Sequence, residues 1–280
     1  KKQRAPARVV QINWSLLAGA LCFFVIGLAD DLFALPPLPR LAGQLLVAMA
    51  VWSQGVQIGT IELPFALLGH SEPSLMLPPS LSLLATVIWL VGITNAINWL
   101  DGLDGLAAGV SGIAAFGLLS VSFSLHQPAA GLLAAALAGS CLGFLRHNFN
   151  PARIFMGDGG SYFLGFALAA VSIVGPAKEL TSVSLLLPLL ILSLPLADMS
   201  AVILGRLRQG RSPFYPDRRH LHHRLLRQGL SHRRTVLLIY AFTQWLAALA
   251  LVLVNAEFRF LWLALATAVL IGLVINTRRP

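Results

Sequence analysis

Seven aspartates are spread along this chain, and most of them stand where a long apolar segment begins or ends. Asp30 and Asp31 are adjacent, Asp101 and Asp104 are three residues apart, and Asp158 lies in a glycine-rich stretch. Carboxylate oxygens bind hard divalent cations, and neighbouring arginines bind phosphate oxygens. The grouping therefore predicts chemistry on phosphate groups, assisted by a metal ion.

The acidic pair Asp30 and Asp31 ends the first apolar segment. Two carboxylates at a helix C-terminus oppose the helix dipole and repel each other, which costs stability unless a cation lies beside them. A pair of solvated end residues is the alternative. Asp198 stands apart, about 12 Å along a helix from Arg206. An ionisable side chain at that depth indicates a functional role, although the sequence reveals no partner for it.

Polar residues at a spacing of three mark the end of the third apolar segment. Asn95, Asn98 and Asp101 would share one face of a helix, and Asp104 lies one step further along. Glycines after the two aspartates would allow a backbone or a ligand to approach closely. The pattern predicts a polar binding surface, with polar packing between helices as the alternative.

A polar loop follows the fifth apolar segment and carries Asn148, Phe155 and Asp158. Asp158 stands where the sixth segment begins, and the free N–H groups at the start of a helix favour anions. A metal ion held by Asp158 could share its ligands with a diphosphate. The alternative, Asp158 as the N-cap of that helix, accounts for the aspartate but not for the rest of the loop.

The fourth motif is a basic loop with three histidines. Asp217 predicts the N-cap of a short helix and Gly229 its C-terminal stop. At 100° per residue, one face of this helix would be polar and the other apolar, with His222 at the apolar edge. The polar face carries His220, His223, Arg224 and Arg227. Phosphate binding is favoured over a zinc site, because the arginines would repel a cation; a basic helix lying on lipid headgroups is a further alternative.

The elements that position these residues follow from the composition. Hydrophobic residues make up 57% of the chain, charged residues 11%, and the mean hydropathy is +0.78, far more apolar than in soluble proteins. Several apolar segments are long enough to cross a hydrocarbon layer of about 30 Å, where only internally bonded backbones such as helices are stable. They lie near 12–29, 41–56, 81–98, 105–125, 130–147, 159–175, 182–204, 234–254 and 259–276. We predict an all-α fold, a polytopic transmembrane helical bundle with about nine spans, as a single integral membrane domain over 1–280.

Charge sorts the predicted loops onto two sides of the membrane. One side carries nine arginines between Arg206 and Arg234, whereas the opposite loops carry only Lys178 and Arg259. The positive-inside rule makes the first side cytoplasmic, although the basic residues of 1–8 would then lie outside. The net charge of +9 comes largely from these loops, which favours contact with anionic lipid or phosphate over nucleic acid.

In this order and on alternate loops, the four motifs resemble the polyprenyl-phosphate N-acetylhexosamine-1-phosphate transferase family, of glycosyltransferase 4 type, from about Gly27 to Arg227. The resemblance implies that Asp30 and Asp31 are catalytic and that Asp158 is a magnesium ligand. It implies substrate contacts for Asn98, Asp101, Asp104 and Asn148, for Phe155 beside the uracil, and for His220, His222 and His223 in the cytoplasmic cleft. Asn95 and Arg224, in the same motifs, complete the predicted substrate-binding set.

The resemblance also implies the reaction, which moves N-acetylhexosamine 1-phosphate from a UDP-N-acetylhexosamine to polyprenyl phosphate and releases UMP. The implied cofactor is Mg²⁺, with Mn²⁺ as a substitute, and the implied place is the bacterial inner membrane with the active site facing the cytoplasm. The partners are both substrates and membrane lipid, without nucleic acid, and a homodimer is compatible. The histidine motif is closer to the N-acetylglucosamine branch than to the phospho-N-acetylmuramoyl-pentapeptide branch, which stays the alternative. Family members begin with about two further spans, so an N-terminal truncation is expected.

Two other classes of protein share some of these features. An intramembrane aspartyl protease needs two facing carboxylates within the bilayer, whereas most aspartates here end spans on one side. An ion-coupled transporter would carry charged groups near mid-membrane in several spans, and only Asp198 is evident. For a transferase, two routes stay open: Asp30 or Asp31 orients or deprotonates the lipid phosphate, or one of them forms a covalent intermediate.

Overall fold

The structure, a computed structural model, describes residues 14–62, 74–175, 185–213, 219–254 and 256–277. Helices dominate these residues. They are α1 (Trp14–Phe33), α2 (Pro37–Ser53), α3 (Pro79–Leu100), α4 (Leu106–Ser124), α5 (Pro128–Asn148), α6 (Gly157–Val174), α7 (Leu186–Ile191), α8 (Ser193–Leu207), α9 (Leu221–Arg227), α10 (His232–Leu253) and α11 (Arg259–Thr277). Two short strands, β1 (Thr60–Glu62) and β2 (Ser74–Met76), form an antiparallel pair that the sequence analysis did not predict.

Seven helices among the described residues are long and apolar enough to cross a membrane: α1, α3, α4, α5, α6, α10 and α11. This confirms the predicted helical membrane bundle. The predicted count of nine spans is not confirmed within the described part of the chain. Helix α2 has only 17 residues, and the predicted segment 182–204 contains a break between α7 and α8.

The break falls at Leu192, and its cause is visible in the sequence. Pro195 is the third residue of α8 and has no amide hydrogen to donate to the carbonyl group of Ile191. Its ring would also press on that carbonyl in a continuous helix. The chain therefore starts a new helix, and α8 leaves the break in a direction that brings its last turns towards α3.

Helices α1 and α6 pack closely because a glycine lies at their crossing. A Cβ atom on Gly27 would stand 2.3 Å from the backbone carbonyl oxygen of Asp158. Small residues let helix backbones approach each other in membrane proteins. The contact brings the last turn of α1 against the first turn of α6, so that the aspartates of the two helices meet.

Replacing Gly27 with alanine should therefore separate these helix ends. The added methyl group meets backbone atoms that cannot rotate away, and overpacking of this kind costs about 1–3 kcal/mol of folding free energy. If these aspartates form the active site, a shift of about 1 Å there would lower activity roughly a hundredfold. Thermal unfolding and turnover in detergent measure both effects. Gly143→Ala is the matched control, because a Cβ atom there meets nothing within 4 Å; equal behaviour of the two variants would contradict the prediction.

Helix α10 packs against the start of α4 in the second half of the bundle. The hydroxyl group of Tyr240 donates a hydrogen bond to the backbone carbonyl oxygen of Gly105. A Cβ atom on Gly109 would stand 2.0 Å from the Tyr240 ring, so the glycine makes room for it. Below this contact a small apolar core includes Leu100, Val236 and other residues of α3, α4 and α10. These contacts fix the start of α10 beside the loop between α3 and α4.

Candidate active site

Asp30 lies in the last turn of α1, where its side chain is buried. One carboxylate oxygen accepts a hydrogen bond from the backbone N–H of Leu35 at 2.9 Å. The other oxygen forms an ion pair with the guanidinium group of Arg40, at the start of α2. Arg40 therefore supplies the cation that the adjacent carboxylates require. The sequence signal that could have identified Arg40 as this cation is its position soon after the aspartate pair, at a helix start.

Asp31 points the other way and caps helix α6. Its two carboxylate oxygens accept hydrogen bonds from the backbone N–H groups of Asp158 and Gly159, at 2.8 and 3.0 Å. This corrects the expectation that the first N–H groups of α6 are free to bind a diphosphate. It also excludes Asp158 as the N-cap residue, since the helix begins at Gly157 and Asp31 performs the capping. Negative charge at a helix N-terminus is stabilising, so the start of α6 orients the side chain of Asp31.

Asp158 projects from the first turn of α6 towards α2 and α3. One of its carboxylate oxygens accepts a hydrogen bond from the amide group of Asn98 at 2.7 Å. The same amide nitrogen donates to the buried hydroxyl group of Ser161 at 2.9 Å. The second carboxylate oxygen lies 3.7 Å from the guanidinium group of Arg40. Helices α1, α2, α3 and α6 thus all contribute to one cluster of charges.

This cluster contains more negative than positive charge. In the part of the chain that the structure describes, the carboxylates of Asp30 and Asp158 both lie beside the guanidinium group of Arg40, and a third carboxylate, of Asp31, contacts the backbone N–H of Asp158. Among the described residues no group of three or more His, Cys, Asp or Glu side chains is arranged to hold a metal ion. A magnesium ion needs fewer protein ligands than such a group provides, because it is commonly held by one or two carboxylates, with water and substrate phosphates as further ligands. Asp158 fits such a partial set.

The polar stripe predicted on α3 is divided between two environments. Asn98 contacts Asp158, as described above, whereas Asn95 lies one turn deeper. The amide group of Asn95 donates hydrogen bonds to the side chain of the buried Gln44 at 2.6 Å and to the carbonyl group of Val91 at 2.8 Å. Asn95 also lines a cavity of about 240 Å³ next to Arg40. Gln44 was not anticipated, because a single glutamine in an apolar segment has no distinctive spacing.

Asp101 and Asp104 occupy the turn between α3 and α4. Burial raises the pKa of Asp101 to about 6, with additional repulsion from the charges of Asp104 and Asp31. Asp104 accepts hydrogen bonds from the side chain of Asn150 at 2.9 Å and from the backbone N–H of Ala152 at 3.1 Å, which lowers its pKa. Asp104 therefore fastens the loop between α5 and α6 to the end of α3.

The same loop is held from inside by Asn148. This buried side chain accepts a hydrogen bond from the backbone N–H of Gly105 at 3.0 Å and donates one to the carbonyl oxygen of Ile154 at 2.9 Å. Next to it the ring of Phe155 is 79% exposed. The two residues share a cavity of about 200 Å³, which is lined by Asp101, Gly102, Leu103, Asp104, Asn148, Phe155, Met156 and His232. The structure thus brings four of the predicted substrate-binding residues to one cavity, and adds His232.

The histidine helix α9 is attached to α8 through Asp198. One carboxylate oxygen of Asp198 lies 2.9 Å from Nδ1 of His220, and the other accepts a hydrogen bond from the backbone N–H of Leu221 at 2.7 Å. Asp198 is therefore not an isolated charge within the membrane, and the observation that suggested a transporter has a local explanation. The predicted N-cap, Asp217, lies outside the described residues; α9 begins later, at Leu221, so the predicted helix start is wrong.

The apolar face of α9 packs on protein, not on lipid headgroups. Leu221 and Leu225 contact the apolar core between α4 and α10. His222 is 1% exposed, and the position a Cβ atom would take on Gly102 lies only 2.5 Å from its Nε2 atom. Burial lowers the pKa of His222 to about 4, with further repulsion from His223 and His220, so this ring is neutral at physiological pH.

The remaining residues of this motif lie nearer the surface. The ring of His223 is half-buried, with its centroid 4.3 Å from that of His222, and Arg224 is exposed. The predicted stop at Gly229 is confirmed, since its φ of +91° is the left-handed conformation that glycine adopts at helix ends. The predicted amphipathic helix is thus present, but its histidines are divided between the interior and the surface.

A second set of contacts joins α9 to the 240 Å³ cavity. The ring of Trp99 meets the ring of His220 edge to face at 5.9 Å, and the buried guanidinium group of Arg206 lies 4.9 Å from the centre of the Trp99 ring. Trp99, Arg40 and Tyr162 line this cavity together with the apolar side chains of Leu41, Val91, Met199 and Ile203. The cavity therefore has one basic end and mostly apolar walls.

Comparison with known proteins places this geometry in a family. The model of glycosyl transferase family 4 matches residues 13–176, which include the three clustered aspartates. A Bacillus subtilis protein named as a probable undecaprenyl-phosphate N-acetylglucosaminyl 1-phosphate transferase is 39% identical over 251 residues, 90% of this chain and 68% of that protein. The decaprenyl-phosphate N-acetylglucosaminephosphotransferase of Mycobacterium leprae is 41% identical over 244 residues, 80% of this chain and 60% of that protein.

A shorter match concerns another branch. The phospho-N-acetylmuramoyl-pentapeptide-transferase of Chlamydia muridarum is 47% identical over 120 residues, 42% of this chain and 33% of that protein. The family model covers more than half of the 280 residues, and the two longer relatives share about two fifths of the aligned positions. With its aspartates gathered at the ends of α1, α3 and α6, the chain belongs to glycosyl transferase family 4.

Proposed function

We propose that this protein transfers N-acetylglucosamine 1-phosphate from UDP-N-acetylglucosamine to a polyprenyl phosphate, releasing UMP and leaving a lipid diphosphate sugar. The observation that carries the proposal is the cluster of Asp30, Asp31, Asp158 and Arg40 beside two cavities of different character. Arg40 itself lines the 240 Å³ cavity, and Met156, two residues before Asp158, lines the 200 Å³ cavity. One cavity is polar and suits a nucleotide, and the other is largely apolar and suits an isoprenoid chain. The cluster lies where the phosphates of the two substrates would meet.

The comparisons support this choice of substrates. The two longer relatives carry names that specify N-acetylglucosamine and a polyprenyl phosphate, and each covers 80% or more of this chain. The pentapeptide transferase matches only 42% of it. The chain spans 68% and 60% of the two longer relatives, so the activity of the whole protein rests on this proposal and its test.

The polar cavity is proposed as the donor site. The exposed ring of Phe155 offers a flat surface on which a pyrimidine can stack. Asp101 and Asp104, which both line it, provide acceptors for the N–H and O–H groups of a nucleoside. The hydrogen bonds of Asp104 and Asn148 keep the cavity walls in place. These two residues would therefore favour donor binding by preorganising the cavity as well as by contacting the nucleoside.

The apolar cavity is proposed as the acceptor site. Its walls of Val91, Met199 and Ile203 can contact the first isoprene units of the lipid, while Arg40 at its basic end can bind the terminal phosphate. Arg40 also pairs with Asp30, so the acceptor phosphate would arrive beside a carboxylate. That arrangement places the attacking oxygen next to the group that orients it.

The predicted metal ion would be held by Asp158, with water and phosphate oxygens of the substrates as its other ligands. When bound, Mg²⁺ or Mn²⁺ neutralises charge on the diphosphate during displacement. The chain's own residues position the reactants: Arg40 holds the acceptor phosphate, and Asn98 orients Asp158. Asp30 accepts the remaining proton of the acceptor when one is present. Because a phosphate monoester has its second pKa near 6, this assistance matters most below neutral pH.

In the proposed step, an oxygen of the lipid phosphate attacks the phosphorus that carries the sugar. A new P–O bond forms as the bond from that phosphorus to the bridging oxygen of UMP breaks, and the bonding electrons leave with UMP. No oxidant or further reactant is needed. The arginines predicted on the same side of the membrane support a site at the cytoplasmic face.

One experiment tests the reaction and its orientation. Purified protein is supplied with polyprenyl phosphate, Mg²⁺ and a panel of UDP-sugars, and UMP release is measured. The same assay is then run in sealed inside-out and right-side-out vesicles, with donor added from outside. Release from UDP-N-acetylglucosamine that needs the lipid and occurs only in inside-out vesicles is expected. Peptide cleavage without metal, or solute flux without UMP release, would instead support a protease or a transporter.

A further inference from the structure

His232 is the one residue lining the 200 Å³ cavity that belongs to neither the aspartate motifs nor the histidine loop. It is the first residue of α10, directly after the N-cap Ser231. Its Nε2 atom is buried, and no hydrogen-bond partner for it exists among the described residues. A buried polar atom without a partner is uncommon in a folded protein and calls for an explanation, of which a ligand is one.

The contacts around His232 fix its position. The guanidinium group of Arg233 donates a hydrogen bond to the backbone carbonyl oxygen of Asn150 at 3.0 Å, and Asn150 in turn donates to Asp104 at 2.9 Å. Two turns further along α10, Tyr240 is bonded to the carbonyl oxygen of Gly105. The start of α10 is therefore tied to both walls of the cavity, and His232 is held between them.

The charges in this cavity indicate which part of a nucleotide it would accept. Asp101 and Asp104 both line it, and their carboxylates would repel phosphate groups. A nucleoside is uncharged and offers N–H, O–H and carbonyl groups for hydrogen bonds. An imidazole nitrogen can donate or accept one such bond. The unsatisfied atom therefore matches the uncharged part of the donor, not its diphosphate.

We propose that Nε2 of His232 hydrogen-bonds the nucleoside of the UDP-sugar and makes His232 a donor-binding residue. This inference rests on the proposed function, since it assigns a further contact within the same donor site. It assigns no chemical step to His232. The residue should contribute to the affinity for the donor and not to the rate of the displacement itself.

The test compares His232→Ala with His232→Gln, whose amide group can still make a hydrogen bond near the Nε2 position. One hydrogen bond contributes about 0.5–1.5 kcal/mol. Its loss should raise the Kd for UMP, measured calorimetrically on the whole protein, up to about tenfold. His232→Ala should raise the KM for UDP-N-acetylglucosamine similarly, with kcat and the KM for polyprenyl phosphate unchanged. His232→Gln should stay within about threefold of the wild type.

His147→Ala is the matched control, because His147 is an exposed histidine near the same loop but outside the cavity. If His232→Ala does not fold, His232→Phe keeps the ring volume while removing both nitrogens, and the same measurements decide. An unchanged Kd for UMP in the folded variant would overturn the inference, as would an equal loss of affinity for pyrophosphate. If the wild type binds no UMP at all, the proposed donor itself is wrong, so the two failures are distinguishable.

Discussion

Asp158→Asn is expected to lower the rate of sugar-phosphate transfer by at least about a thousandfold, equivalent to about 4 kcal/mol of transition-state stabilisation. The amide group of the new asparagine is a poor ligand for metal ions, and the substitution removes one negative charge from the cluster. Its carbonyl oxygen can still accept the hydrogen bond from Asn98, so the first turn of α6 should keep its conformation. Turnover, magnesium dependence and thermal unfolding in detergent measure these three consequences.

A suitable control for this variant is Glu257→Gln. Glu257 is an exposed carboxylate between α10 and α11, at the opposite end of the bundle, and its neutralisation should leave turnover unchanged. Wild-type turnover in excess chelator would contradict the metal-binding role of Asp158. An Asp158→Asn variant that is inactive only because it unfolds would be recognised by a melting temperature well below that of the control.

The second large effect is expected at Asp30. If Asp30 orients and deprotonates the acceptor, Asp30→Asn should lower the rate about a hundredfold at pH 5. About tenfold of that loss should be recoverable, since only about one lipid phosphate in ten has lost its second proton at this pH. The loss should shrink as the pH rises above the second pKa of the lipid phosphate, near 6, because the acceptor is then already ionised. The pH profile of single-turnover rates, with acceptor in excess, measures this recovery.

Asp31→Asn should behave differently, because Asp31 caps α6. The amide oxygen can replace only the acceptor function, and one of the two N–H groups of α6 is left without a carboxylate partner. A stability loss of about 1–2 kcal/mol is expected, with an effect on activity that pH does not reverse. A covalent route would give another result: a burst of UMP without lipid, and a trapped phosphoryl-sugar adduct on Asp30 or Asp31. Such an adduct would overturn the base or orienting role.

The sequence predicted which residues gather at the candidate site better than it predicted their contacts. Residue type and spacing were enough to select Asp30, Asp31 and Asp158, because carboxylates at the ends of apolar segments have few other uses. Their partners depend on which helices pack together, and periodicity carries no information about that pairing. The capping of α6 by Asp31 joins residues 127 positions apart, and no local pattern predicts it.

The limits of the fold prediction have local causes. Hydropathy located the apolar segments, but it measures composition and does not register the proline that divides 182–204 into α7 and α8. Pro195 was a usable signal that a window average hides. No sequence pattern singled out His232 as a binding residue, because Ser231 before it indicates only the start of a helix. Its place in the 200 Å³ cavity follows from Tyr240, which docks α10 on the α3–α4 turn, and from Arg233, which bonds the loop between α5 and α6.

The cap that Asp31 places on α6 also bears on how the protein is made. Helix α1 is synthesised before α6, and Asp30 can already find Arg40, nine residues beyond the pair. Asp31 has no such neighbour, and its partners are added only after the ribosome has polymerised the next 127 residues. Until α6 inserts and docks, the nascent chain carries an uncapped carboxylate at the membrane surface. The contacts of the aspartate pair are therefore complete only after α6 has inserted and packed against α1.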